Sequence, residues 1–467
     1  MPLQPNIAEK RIAIGNGAGF LGDNLDAPRR LVEGARLDYL TLEYLAELTM
    51  SILARLRQKN PQAGYAGDFL EVLTSLLPAL QAQPQLKIIT NAGGVNPLSC
   101  AQQAAKILGD AGLASTPIGI VTGDDLLPRL AELQQQGNLF AHLDTGEPLS
   151  TLTAPIVSAN AYLGAKPIAD ALAGGARMVI TGRVADASLT VGPAMHEFGW
   201  SWDDLPRLAA ASVAGHIIEC GAQATGGLYR GWPSLHLADV GYPIAELSAD
   251  GELVITKPAG SGGTVGRATV AEQIVYEIGD PRHYLTPDVD VDFSAVALHE
   301  VGPNRVSVWG AAGNPAPSSY KVSLAYQAGY TASGQLLVYG QDCVAKAQAC
   351  ADMILQRLAR AGYKLARTHV ESLGSGAGVP GVHLPPEHLR EVMLRLTVAD
   401  ADRSAVERFT KEFAPLITSG PPGLAGYASG RPTVRPMFAY WPTTVPKELI
   451  EPQVRVATAG ELAAELP

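Results

Sequence analysis

The stretch Leu86–Ala111, LKIITNAGGVNPLSCAQQAAKILGDA, decides the fold class. Leu86–Thr90 is a short apolar run suited to a buried strand, and Asn91-Ala92-Gly93-Gly94-Val95-Asn96-Pro97 closes it with turn residues. From Ser99 to Ala111 the apolar residues recur at helical spacing. The same texture returns along the first half of the chain. Arg11–Gly15 runs into Gly15-Asn16-Gly17-Ala18-Gly19-Phe20-Leu21-Gly22-Asp23, Tyr39–Tyr44 forms a second strand, Pro117–Thr122 precedes Gly123-Asp124-Asp125, and Met178–Thr181 precedes Gly182-Arg183-Val184-Ala185-Asp186. Helical patterns cover Ala46–Arg57, Leu126–Gln136 and Ala159–Ala173, the last kinked or broken at Pro167. Strands alternating with amphipathic helices predict right-handed βαβ units: an α/β fold with a mostly parallel sheet and helices on its faces in the N-terminal half.

Around Asp280 the pattern changes. Val289–His299 and Arg305–Trp309 read as paired strands turned by Gly302-Pro303-Asn304, Lys321–Tyr326 as another strand, and Ala345–Ala361 as an amphipathic helix. A smaller α+β C-terminal domain is expected, dividing the chain into an α/β ligand-binding domain, residues 1–285, and an α+β domain, residues 286–467. Ser372–Pro380 and Pro421–Arg431 read as Gly/Pro-rich loops.

Composition narrows the function classes. The 467 residues are 47% hydrophobic and 17% charged, enough to bury sizeable cores. A formal net charge of -10 argues against nucleic acid or an anionic membrane as partner, since both seek a basic surface. The four cysteines, Cys100, Cys220, Cys343 and Cys350, show neither CxxC spacing nor a zinc-site pattern, which suits a reducing, cytoplasmic setting and leaves any metal requirement open. Met1 to Arg11 is polar, without a signal peptide's apolar stretch, and no run of about 18 apolar residues could span a membrane. A small-molecule substrate and a homo-oligomer are expected.

In a parallel sheet the loops after the strands gather at one edge, where α/β folds bind ligands. Asp23, Asn91, Asp124, Arg183 and Asp186 all follow strands and are expected to converge there. Gly17-x-Gly19-x-x-Gly22 matches the dinucleotide pattern, but Gly22-Asp23-Asn24 reads as a loop and cap, so a tight turn exposing Asp23 is the better reading. Asn91, Gly93, Gly94 and Asn96 offer amides at a helix start, suited to a carboxylate or phosphate, although turn and cap chemistry explains them equally. Asp124 and Asp186 are acid, base or ligand candidates, and the Arg183 guanidinium is a candidate clamp for a carboxylate. His216 and Glu219 are three residues apart on a helical pattern and share a face, followed by Cys220 and Gln223. Cys220 is either a nucleophile or a buried thiol. Lys257 opens the glycine-rich loop Pro258-Ala259-Gly260-Ser261-Gly262-Gly263-Thr264, a phosphate cradle or a mobile lid.

These segments together resemble the acyclic terpene utilisation protein A (AtuA-like) family. The resemblance rests on Gly17-Ala18-Gly19-Phe20-x-Gly22-Asp23, Asp38-Tyr39-Leu40-x-x-Glu43-x-Leu45-Ala46-Glu47, Thr90 through Pro97, Val121-Thr122-Gly123-Asp124-Asp125, Thr181 through Asp186, Glu219-Cys220-Gly221-Ala222-Gln223-Ala224-Thr225-Gly226-Gly227 and Ala271-Glu272-Gln273-x-x-Tyr276-Glu277-Ile278-Gly279-Asp280-Pro281. It continues to Gly420-Pro421-Pro422-Gly423 and Gly430-Arg431-Pro432. It implies a part in bacterial breakdown of branched acyclic terpenoids through acyl-CoA thioesters. It also implies an additional small C-terminal domain in many relatives, here either a separate small subunit or dispensable, and Met437, Phe438, Tyr440 and Trp441 either form a surface for that partner or complete the second domain's core.

The reading that results is a hydratase or lyase-type enzyme acting on a branched, carboxylated acyl-CoA or hydroxy acid. Asp23, Asp124, Asp186 and Glu219 are the acid/base candidates. Asn91, Gly93, Gly94, Asn96, Arg183, Gln223 and Lys257 are the substrate-binding candidates. No cofactor is assigned beyond CoA as part of the substrate. A non-catalytic ligand-binding or scaffold subunit, and a Cys220-dependent thioester hydrolase or acyl transferase, stand as alternatives.

Overall fold

The computed structural model describes residues 10–381, 388–426 and 430–466. Most of the polar N-terminal stretch and part of the loop Pro421–Arg431 lie outside the described residues. Contacts group the chain into two compact units, residues 1–325 with 440–467, and residues 326–439. Residues 286–325, which the sequence reading assigned to the second domain, lie with the first unit.

The first unit is built on a ten-stranded sheet. Its centre is made of β1 (Arg11–Asn16), β2 (Tyr39–Leu42), β3 (Lys87–Thr90), β4 (Pro117–Thr122) and, after the separate strand β5 (Ile156–Ala161), β6 (Met178–Thr181). The spatial order β1-β2-β3-β6-β4 is parallel throughout, in registers such as Ile14↔Tyr39, Tyr39↔Lys87, Ile88↔Met178 and Ile118↔Met178. Every residue of β2 and β6 is buried, as parallel strands covered on both faces require.

The chain advances along the sheet from β1 to β4 and then steps back to β6. Right-handed crossovers therefore place helices on opposite faces before and after the reversal. Helices Ala27–Gly34, Asp68–Ala82 and Pro97–Asp110 pack their apolar stripes with Leu40, Leu42, Ile88, Ile118 and Ile180 into one core. Helices Ser188–Phe198 and Leu205–Glu219 pack against β1 from the other side.

The sheet is mixed rather than mostly parallel. Beyond β1 come β7 (Ile244–Ser248) and β8 (Leu253–Thr256), then Arg305–Trp309 and Ala297–Gly302, each antiparallel to its neighbour. Gln453–Thr458 closes the opposite edge antiparallel to β4. Two of these pairings, β7 with β8 and Ala297–Gly302 with Arg305–Trp309, are hairpins, the second turning at Asn304 with its positive φ of 55°, and a hairpin turn permits only antiparallel pairing.

The helix expected over Ala159–Ala173 is two elements, β5 and a helix from Lys166 to Ala173. Pro167 marks the start of that helix and not a kink, because the first turn has no carbonyl for the missing N–H to bond.

The second unit is an antiparallel sheet with one face covered by helix Cys343–Arg360. Tyr330↔Asp400 and Arg367↔Ala399 set its register, and Leu336, Val338, Ile354, Leu394, Leu396 and Phe413 form its core. Among the tail aromatics, the Trp441 ring is buried in the first unit, donates from Nε1 to the Phe140 carbonyl at 2.9 Å and stacks edge-on with His142. That ring is therefore not free to meet a partner, and Met437, Phe438 and Tyr440 are only partly exposed.

Candidate functional site

A cleft of about 730 Å³ opens over the carboxyl ends of β1, β2 and β6. The loop after β1 supplies Asp23, the segment after β2 supplies Glu43 and Glu47, and the loop after β6 supplies Arg183 and Asp186. The end of helix Leu205–Glu219 adds His216, Glu219, Cys220 and Gln223.

Arg183 organises one wall. Its guanidinium is nearly fully buried, and its Nη1 lies 2.5 Å from Asp186 Oδ1, 3.3 Å from the Leu45 carbonyl and 4.0 Å from Glu43 Oε1. The Tyr162 ring stacks beneath it, with Cζ 4.0 Å from the ring centroid. Glu43 Oε1 accepts from the Leu45 N–H at 2.8 Å and from the Asn91 carboxamide, while Oε2 is buried without a partner. Burial and the nearby Asp186 push the Glu43 carboxyl up to about 8, against the opposing pull of Arg183. Glu47 goes the other way. Burial would raise it, but the Tyr162 hydroxyl at 2.6 Å and the Lys321 ammonium outweigh that and bring it down to about 2.

Another part of the lining holds His216 and Glu219. His216 Nδ1 lies 3.1 Å from Glu219 Oε1, and its Nε2 lies 3.2 Å from the Ile274 carbonyl. The rings of Tyr284 and Phe293 pack against the imidazole at centroid distances of 5.2 and 5.5 Å. A bond at each ring nitrogen and aromatic packing on its flanks fix the ring's orientation. Glu219 Oε2 is buried and unpartnered. Burial pushes the Glu219 carboxyl up to about 7, His216 opposing and Asp186 and Glu277 adding to the rise. For His216, burial lowers the pKa but the bond to Glu219 wins and leaves it raised.

Asp23, Arg183, Asp186, Glu219 and Gln223 thus share the cleft. Asp23 is held by the Gly19 and Asn24 N–H groups and by the Tyr242 hydroxyl at 2.6 Å, a bond set that fixes the β1 loop.

The expected convergence fails for Asn91 and Asp124, which lie outside the cleft lining because their side chains are spent on the scaffold. The Asn91 carboxamide accepts from the Tyr44 N–H at 2.8 Å and donates to Glu43, so it positions a cleft residue from behind. Asp124 is buried, accepting from the Arg183 N–H at 2.9 Å and Asn160 Nδ2 at 2.8 Å. Gly93 and Gly94 serve close packing: a Cβ at Gly93 would strike the Thr181 carbonyl, and one at Gly94 the Leu53 side chain. Asn96 caps helix Pro97–Asp110, with Oδ1 3.4 Å from the Ser99 N–H. Lys257 Nζ turns back onto Ser261, 2.7 Å from its carbonyl, and the loop that follows lines a separate cavity of about 330 Å³.

Asn91→Ala is expected to cost roughly 1–3 kcal/mol of stability, because it strands a buried N–H and the Glu43 carboxyl. Urea denaturation measures this, and a loss under about 0.5 kcal/mol would remove Asn91 from the supporting role.

Sequence reasoning missed Glu43 and Glu47 as cleft acids, together with Tyr162, Tyr276, Tyr284 and Lys321. Glu43 and Glu47 directly follow β2, so the strand-end argument applied to Asp23 could have found them.

Among the described residues, no three His, Cys, Asp or Glu side chains are grouped to hold a metal ion. No helix among them is long and apolar enough to cross a membrane. Fold and cleft together define a mixed α/β protein with an acid-lined cleft at the carboxyl edge of its parallel strands. More narrowly, the chain belongs to the acyclic terpene utilisation family AtuA, whose sequence model matches residues 12–456. No curated protein and no solved structure matches it.

Proposed function

We propose that the cleft carries out a hydratase or lyase-type step, moving a proton on a branched hydroxy acid or carboxylated acyl-CoA. The observation that carries this reading is Glu219, a cleft-lining carboxyl pushed by burial up to about 7, with one oxygen held by His216 and the other buried without a partner. A carboxyl poised near neutrality can take a proton in one direction and return it in the other. His216 orients it, and Asp186 is the second acid within the cleft.

Six carboxyls, Asp23, Glu43, Glu47, Asp186, Glu219 and Glu277, line the cleft against the cations of Arg183 and Lys321. Arg183 is buried in its pair with Asp186, whereas Lys321, although paired with Glu47, is exposed, so the substrate's anionic group falls to the Lys321 side, with the proton-bearing carbon next to the carbonyl toward Glu219. Phe20, Leu228 and Leu285 are exposed at the cleft and suit a branched hydrocarbon chain, in keeping with the family's description as acyclic terpene utilisation proteins.

Incubation in D2O with branched 3-hydroxy acids and their thioesters, followed by NMR, tests the proposal. Exchange of the proton next to the carbonyl, or loss of water, is expected from the wild type. Ligand binding without exchange or turnover would overturn it in favour of a binding subunit.

Cys220→Ser is expected to leave that activity within about threefold of wild type. Burial, with Glu219 adjacent, pushes the thiol up to about 12, so little thiolate exists near neutral pH. Loss of activity in a folded Cys220→Ser protein would instead support the thioester hydrolase.

A further inference from the structure

A third cavity, of about 420 Å³, lies entirely within residues 331–435 of the second unit. Its charge is opposite to that of the cleft. Arg431 and Arg435 line it, no carboxylate does, and neither arginine forms an ion pair among the described residues. In a chain with net charge -10, most cations near a cavity meet an acid, as Arg183 and Lys321 do in the cleft. Thr331, Ser333 and Gln335 alternate along one strand and so share a face. The Thr397 hydroxyl donates to Ser333 Oγ at 2.9 Å, which leaves the Ser333 proton available to an acceptor. Arg431 belongs to Gly430-Arg431-Pro432, a motif with no part in the cleft.

We infer that this cavity binds the phosphate group of a small phosphorylated molecule. Arg431 and Arg435 line one cavity, a guanidinium fork matches phosphate oxygens bidentately, and Ser333 in the same lining adds a hydroxyl donor. The volume falls within the range of about 300–1,000 Å³ that holds small organic ligands, which favours an organic phosphate over the free ion.

Isothermal titration of the full chain with ADP, inorganic phosphate and adenosine tests the site. ADP should bind saturably and adenosine should not. Binding should weaken as potassium chloride is raised from about 50 to 500 mM, as screening requires. Inorganic phosphate binding as tightly as ADP would support the same phosphate site with the free ion as its ligand. Arg431→Gln and Arg435→Gln should each weaken binding by roughly tenfold or more. The charge-conserving Arg431→Lys should retain more binding than Arg431→Gln and guards against misfolding. The inference is overturned if neither phosphate compound binds the wild type, or if binding survives unchanged in the folded double glutamine variant. A protein without the cleft activity proposed above would still give the same titration, so the two readings fail separately.

Discussion

Glu219→Gln is expected to lower the proposed hydration or elimination rate by roughly 10²–10⁴-fold, the usual range for removing a positioned general acid or base. Glutamine keeps the shape and an acceptor oxygen for His216 but cannot accept or release the transferred proton. In the elimination direction Glu219 acts as the base and must be ionised. With its carboxyl pushed up to about 7, the wild-type rate should rise with pH through that value. Because Glu219 and His216 interact closely, the limb belongs to the pair rather than to one residue. The variant should lose the limb as well as the rate, a signature that a merely structural role would not produce. Stability provides the control. A carboxyl raised on folding contributes stability that is present below its unfolded value of 4.5 and lost as pH rises through about 7. The glutamine variant is therefore expected to be no less stable than wild type at pH 8. An unchanged rate and pH profile would remove Glu219 from the chemistry.

The parallel heart of the sheet was legible because its strands are apolar runs, closed by glycine, asparagine or aspartate at β1, β3, β4 and β6, while β2 runs into Glu43. The antiparallel flank was not legible. Whether β7 joins β1 in parallel or antiparallel depends on which elements meet in space, and Ile244–Ser248 reads the same either way. β5 was hidden for a related reason: Ala159 and Ala161 are strong helix formers that continue into a helical pattern, and pairing decides the state of the segment.

Position at a strand end pointed to Asp23, Arg183 and Asp186, which line the cleft. It could not tell which polar side chains would be consumed by the scaffold. Asn91 and Asp124 follow strands as Asp186 does, yet their partners, Tyr44, Glu43 and Asn160, become visible only with the packing. Tyr284 and Lys321 come from segments distant in sequence from every strand-end loop, and no local pattern marks them.

Arg183→Met is expected to destabilise the protein by roughly 1–3 kcal/mol, the cost of removing a buried guanidinium whose partner Asp186 is itself partly exposed. Methionine fills much of the space beneath Leu45 and against Tyr162, so the loss is mainly electrostatic. Asp186 loses its 2.5 Å partner, and Glu43 loses the cation that opposes its burial. The pH dependence separates this from a simple packing defect. Burial and Asp186 already raise Glu43 to about 8 in the wild type, above its unfolded 4.5. Its contribution is therefore fully present below pH 4.5 and lost as pH rises through about 8. Without Arg183 the folded value moves higher still, so the protein pays more to ionise Glu43 and the deficit of the variant should be larger at pH 9 than at pH 6. Urea denaturation of both proteins at the two pH values measures it. A cost below about 1 kcal/mol, or the same cost at both pH values, would show that Arg183 does not hold the carboxyls of this wall together.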